Sequence, residues 1–129
     1  MTEEYVSFEL AKKLKEKGFD MHPVDVHGKF DTDGLFHSQL YVNYAEVMDD
    51  AIIAPSIAQV LKWLRKEYGI HIEITAAAFG YSYIISKTPE FGGMDIKFSR
   101  YDGPNDGGAW NEWEDCASAA IEYVIDNLI

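Results

Sequence analysis

The sharpest change of hydrophobic period in the chain lies between Pro55 and Thr75. Ile57, Val60, Leu61, Leu64 and Tyr68 recur at three- and four-residue steps; after Gly69, Ile70, Ile72 and Ile74 alternate with His71, Glu73 and Thr75. The first spacing lines one face of a helix and the second one face of a strand, so this stretch predicts a helix feeding a strand. Pro55 suits the first helical position, where its missing N–H costs nothing, with Ser56 or the backbone as cap. Trp63 flanks the stripe and is expected to cover the core edge, while Lys62, Arg65 and Lys66 lie off it.

The same reading extends in both directions. Ser7 precedes the stripe Phe8, Leu10, Ala11 and Leu14, and Gly18 follows Lys17, which predicts a short capped helix with Lys12, Lys13, Lys15 and Lys17 on its solvated side. From Phe19 to Tyr44 the β-favouring Val24, Val26, Phe30, Leu35, Leu40 and Val42 surround Asp31-Thr32-Asp33-Gly34, which predicts a hairpin closed by a left-handed Gly34 and an aspartate bonded to the turn backbone. Tyr44 to Ala54 reads as a loop or helical turn. Beyond Thr75, two antiparallel strands meet near Phe79 and Gly80, Thr88-Pro89 breaks the second, Phe91 to Gly93 is a loop, and Ile96 and Phe98 mark a third strand. Asp102 to Gly108 combines glycine freedom with a proline restraint and reads as loop. Trp110, Trp113, Ala117, Ala120, Ile121, Val124 and Leu128 form a closing helical stripe, with Asn111 as the expected cap and Glu112, Glu114 and Asp115 in the first turn.

These elements make an α+β fold of order α-β-β-α-β-β-β-α, with helices packed on one face of an antiparallel sheet. At 129 residues and 47% hydrophobic content the chain is expected to form a single domain over residues 1–129. Roughly two-thirds of the unfolded surface can be buried at this size, without help from a metal, disulfide or cofactor. The formal charge of −11 repels phosphates and anionic lipid, which disfavours nucleic acid and membrane surfaces as partners. No apolar run approaches the roughly 20 residues of a membrane span. The N-terminal residues carry two acids and no basic region ahead of an apolar run, and Cys116 has no internal partner, so the expected compartment is the cytoplasm.

Candidate chemistry is sparse. His27 and His37 lie on opposite arms of the expected hairpin and His22 near it, with His71 elsewhere; no HxH or HExxH spacing draws them together, so no metal site is assigned. Asp31 and Asp33 lack the further acids of a calcium loop. Cys116 has Glu114 and Asp115 beside it, which would raise its thiol pKa, while the dipole near the helix N-terminus acts the other way; with no coupled histidine base it reads as a small packed or partly buried cysteine. The Asp102–Gly108 loop lacks the lysine and spacing of a phosphate-binding loop. No catalytic residue and no cofactor is expected.

Charge distribution is the unusual feature. No Lys or Arg follows Arg100, while Asp102, Asp106, Glu112, Glu114, Asp115, Glu122 and Asp126 do. An acidic solvated face that complements the basic residues of the first two helices explains this, and so does a docking surface for a basic protein partner built from Asp102, Asp106, Glu112, Asp115 and Glu122. In its extreme form that surface mimics a nucleic acid backbone.

Three blocks carry a resemblance: Tyr5 to Phe19, Ala54-Pro55 with Val60 to Ile70, and the acidic closing helix. They resemble short uncharacterised proteins of gut Bacteroidetes, commonly carried on prophages and other mobile elements. The resemblance implies an origin and no chemistry. From Pro55 onward the order α-β-β-β-α also resembles double-stranded RNA-binding domains in topology alone, and the acidic C-terminal region argues against that role. The expectation for function is a small noncatalytic interaction or accessory protein of a mobile element. The alternatives are a nucleic-acid mimic that inhibits a DNA-binding protein, and a histidine-dependent metal protein or enzyme.

Overall fold

The computed structural model describes residues 4–21, 25–38, 51–88, 96–100, 103–105 and 108–129. The chain is α+β and divides into two compact units, Met1–Ser56 and Ile57–Ile129.

The first unit opens with α1 (Phe8–Glu16). Ser7 caps it as expected, its hydroxyl accepting from the Leu10 N–H at 3.2 Å. The last turn closes in a Schellman arrangement: Gly18 at φ +86° donates to Lys15 O at 3.1 Å, and Phe19 donates to Leu14 O at 3.0 Å. Leu10, Ala11 and Leu14 are buried. A three-stranded antiparallel sheet completes the unit, with β1 (Gly28–Phe30) between β2 (Phe36–Ser38) and β3 (Ile52–Ile53). The pair β3, two residues long, occupies part of the stretch read as loop or helical turn; it pairs Ile52 with Phe30 and Ile53 with Lys29. Val24, Leu40 and Val42 lie outside the described residues.

Pro55 does not open the next helix. Its carbonyl accepts from Val6 N–H at 3.0 Å, and Ser56 is bridged to Tyr5, so both residues extend the first unit's backbone pairing before the helix begins at Ile57.

The second unit runs α2 (Ile57–Tyr68), β4 (Ile70–Ala77), β5 (Gly80–Lys87), β6 (Ile96–Arg100), α3 (Trp113–Asn127). The strands form one antiparallel sheet in the order β4-β5-β6. Opposed residues Ile72↔Ile85 and Ile74↔Tyr83 share a face, to which Ile70 also belongs by its period of two. Ile70, Tyr83 and Ile85 are buried, while His71 and Glu73 on the other face are exposed. Both helices pack on this sheet and on each other, as the α+β pattern requires. Val60 and Leu64 of α2 and Cys116, Ala117, Ala120, Ile121, Val124 and Ile125 of α3 fill the core. On the outer face the Thr75 and Ser82 hydroxyls lie 3.1 Å apart across the ladder.

The closing helix starts later than its apolar stripe suggests. Trp110 is outside it, joined to Tyr81 by reciprocal backbone hydrogen bonds of 2.7 and 2.9 Å and resting on the Tyr83 ring at 5.4 Å. Asn111 is not the cap either. Its side-chain oxygen accepts from the Asn105 amide at 2.6 Å, and the N-cap position falls to Glu112, which makes no side-chain cap bond. At the other end Leu128 is the C-cap rather than part of the helix.

Candidate functional site

The closing helix presents the clearest chemical surface. At about 100° per residue, Glu112, Asp115, Glu122 and Asp126 fall on one stripe, opposite the buried side chains of α3. All four are exposed. The sequence suggested that Lys62, Arg65 and Lys66 of α2 neutralise this stripe, but they point to solvent, and among the described residues they make no ion pair. Glu112 and Asp115 make none there either. Of the expected docking residues, Asp102 and Asp106 lie outside the described residues; the structure brings Glu112, Asp115 and Glu122 together.

The stripe spans about 21 Å of helix axis at 1.5 Å per residue. Four carboxylates over that length give one charge per roughly 5 Å, whereas duplex DNA carries one per about 1.7 Å. Along α3, therefore, the charge density is about a third of that of the polymer a mimic would imitate.

The histidines do not converge. His37 Nε2 sits 2.7 Å from Asp31 Oδ2, toward the hairpin turn and away from His27, which precedes β1 at the opposite end. His71 belongs to the other unit and lies 3.3 Å from the Thr88 hydroxyl. His22 is outside the described residues. Among the described residues no group of three or more His, Cys, Asp or Glu could hold a metal ion.

Asp31 organises the hairpin in place of a cation. Its Oδ1 accepts from the N–H groups of Asp33 at 2.9 Å and Leu35 at 3.0 Å, while Oδ2 meets His37. The hydrogen bond from His37, then those from the backbone, hold its carboxyl below the ordinary aspartate range. Gly34 sits at φ +85°, the left-handed conformation read from the turn sequence. The Asp31–His37 pair was not read from the sequence, although the signal was there: Lys29 pairs with His37, so Asp31 and His37 are diagonal neighbours on one face.

Cys116 is fully buried, and burial pushes its thiol up to about 11. Desolvation by the surrounding core, rather than the neighbouring acids or the helix dipole, is its cause. A cleft of about 170 Å³ between α1 and β3, lined by Ala11, Phe19, Ile52 and Ile53 with Lys15 and Asp20, is smaller than the roughly 300–1,000 Å³ of typical ligand pockets.

The fold and surface thus define a small α+β protein whose second unit is an α-β-β-β-α layer with an acidic helix face. No protein-family model, curated protein or solved structure matches the chain.

Proposed function

We propose that this is a small noncatalytic interaction protein that docks a basic protein partner on the acidic face of α3. The observation that carries the reading is the exposed row of Glu112, Asp115, Glu122 and Asp126 opposite the packed side of the helix, with the basic side chains of α2 turned to solvent. Glu112 and Asp115, at the start of the row, make no ion pair among the described residues. Four aligned carboxylates on a rigid element steer a cationic surface and fix its register. The mimic reading is weaker because the charge per length is too low. The resemblance to proteins of mobile elements fits an accessory role in the cytoplasm of a bacterial host, where the lone Cys116 stays reduced.

The test is charge removal. The variant Glu112→Gln/Asp115→Asn/Glu122→Gln/Asp126→Asn is expected to keep its thermal transition and lose affinity for the native partner by at least tenfold, with wild-type binding weakened by added salt. Unchanged, salt-insensitive binding in that variant rules the face out.

A further inference from the structure

We infer that β4 is a self-pairing edge, along which two copies of the chain join antiparallel about a two-fold axis at Ile72 and merge their three-stranded sheets into one. β4 is an outer strand, and among the described residues nothing pairs with the side turned away from β5. Two backbone contacts fix which groups lie on that side. Gly69 O accepts from the Thr88 N–H at 2.9 Å across the β4–β5 pair, while Tyr81 of β5 gives its N–H and carbonyl to Trp110. Bonding alternates along an antiparallel ladder, and the register runs unbroken from Ile70↔Lys87 to Ala77↔Gly80, so His71, Glu73 and Thr75 bond to β5. Ile70, Ile72, Ile74 and Ala76 therefore direct their N–H and C=O groups outward.

This edge lacks the lysine, proline or bulge that keeps exposed strands from pairing with other chains. The other described edges differ. β6, at the far side of the same sheet, includes Lys97 and Arg100, and β2 and β3 of the first unit are only three and two residues long. On the helix-packed face of β4, Ile70 is buried but Ile72 and Ile74 are only half-buried, so the helices leave apolar surface uncovered along the strand. A strand laid against this edge bonds the outward backbone groups and covers both isoleucines.

The side chains of β4 select a second copy as the occupant and set its register. Centred on Glu73, the pairing sets two carboxylates face to face, which is destabilising. Centred on Ile74, it sets Glu73 against Thr75 and Ile72 against Ala76, with no complementary charge. Centred on Ile72, it sets His71 against Glu73 on both sides of the axis, Ile72 against Ile72 and Ile70 against Ile74, and each isoleucine pair exchanges both backbone hydrogen bonds. His71 and Glu73 are exposed on the outer face, and Glu73 makes no ion pair among the described residues. His71 Nε2 lies 3.3 Å from the Thr88 hydroxyl, which leaves Nδ1 to donate to the Glu73 carboxylate of the second copy. The formal charge of −11 on each chain opposes association at long range, but that field is screened beyond about 8 Å at physiological salt, and the one carboxylate of β4 gains a partner by pairing.

The experiment is sedimentation equilibrium of the untagged full chain at physiological salt, with the wild type expected to show a concentration-dependent dimer. His71→Glu, at an exposed position, sets carboxylate against carboxylate and should weaken the dimer at least tenfold. The exchange His71→Glu/Glu73→His restores the opposed pairs of the Ile72-centred register alone and should recover dimerisation to within about threefold of the wild type. Ile72→Pro removes a donor that faces away from β5 and should abolish the dimer; if it unfolds the chain, the two charge variants still decide the matter. The α3 charge-removal variant should dimerise at least as well as the wild type, which separates this edge from the acidic helix. A wild type that stays monomeric at millimolar concentration, a dimer indifferent to His71→Glu, failure of the exchange to restore it, or its loss in the α3 variant would each overturn the inference.

Discussion

Replacing Gly80 by alanine tests how the segment before α3 is held to the sheet. Gly80 sits at φ +130°, and a Cβ there would collide with the backbone carbonyl of Trp110. Relief requires that Trp110 move, and Trp110 is bound to Tyr81 through two backbone hydrogen bonds and rests on the Tyr83 ring. A side chain at such a φ costs about 1–2 kcal/mol. The two hydrogen bonds contribute about 1 kcal/mol each and the ring pair about 0.5–1.5 kcal/mol. Partial loss of these places Gly80→Ala about 3–4 kcal/mol below the wild type. Gly69→Ala is the internal control, because Gly69 is in the same unit at φ +65° yet a Cβ there meets nothing closer than the Thr88 oxygen at 3.5 Å. It should lose only about 1 kcal/mol, the backbone part alone. Urea unfolding followed by far-UV circular dichroism reads both, and with a slope of about 1.5 kcal/mol/M the two midpoints should differ by roughly 1–2 M. Coincident midpoints, or the lower one in Gly69→Ala, would show that the Trp110 bridge does not restrain this unit.

Three further outcomes are expected. Ile121→Ala empties a fully buried site in α3 and should destabilise the second unit by about 2–5 kcal/mol in the same urea assay; a loss under 1 kcal/mol would mean that the helix does not pack as described. With its thiol near 11, Cys116 should resist a thiol reagent at pH 8 and react at a rate that follows unfolding of the second unit as urea is added, whereas full labelling within minutes in native buffer would contradict its burial. Asp31 has a lowered pKa in the folded state, so its contribution is present above the ordinary aspartate value of 3.8 and is lost as pH falls below it. The protection of the Asp33 and Leu35 amides, taken as the exchange rate relative to the intrinsic rate at each pH, should therefore fall on acidification in the wild type and show no such step in Asp31→Asn; identical profiles would remove Asp31 from the turn.

The chain's own pattern determined most of the local structure. The stripes Phe8 to Leu14, Ile57 to Tyr68 and Trp113 to Val124, and the alternation from Ile70 to Ile74, are periodic signals that each element carries within itself. Ser7 as cap, Gly18 and Gly69 as helix stops and Gly34 in the turn were equally legible, because capping and positive φ are decided within a few residues. The composition likewise fixed the acidic balance and the lone cysteine.

What only the tertiary structure decided is where distant residues meet. Trp110 and Leu128 have the right period for α3 but leave it, since Tyr81 offers Trp110 a backbone partner that no count along the chain contains. Asn111 turns from a cap into an acceptor for Asn105, and Pro55 pairs with Val6 instead of opening α2. The same holds for the surfaces. Helical spacing already aligns Asp115, Glu122 and Asp126, yet whether α2's bases face them depends on packing, and so does the exposure of Leu35 and Phe36. Exposure and pairing arise from contacts between segments far apart in sequence, and a periodic pattern specifies which side of an element is apolar without specifying what covers it.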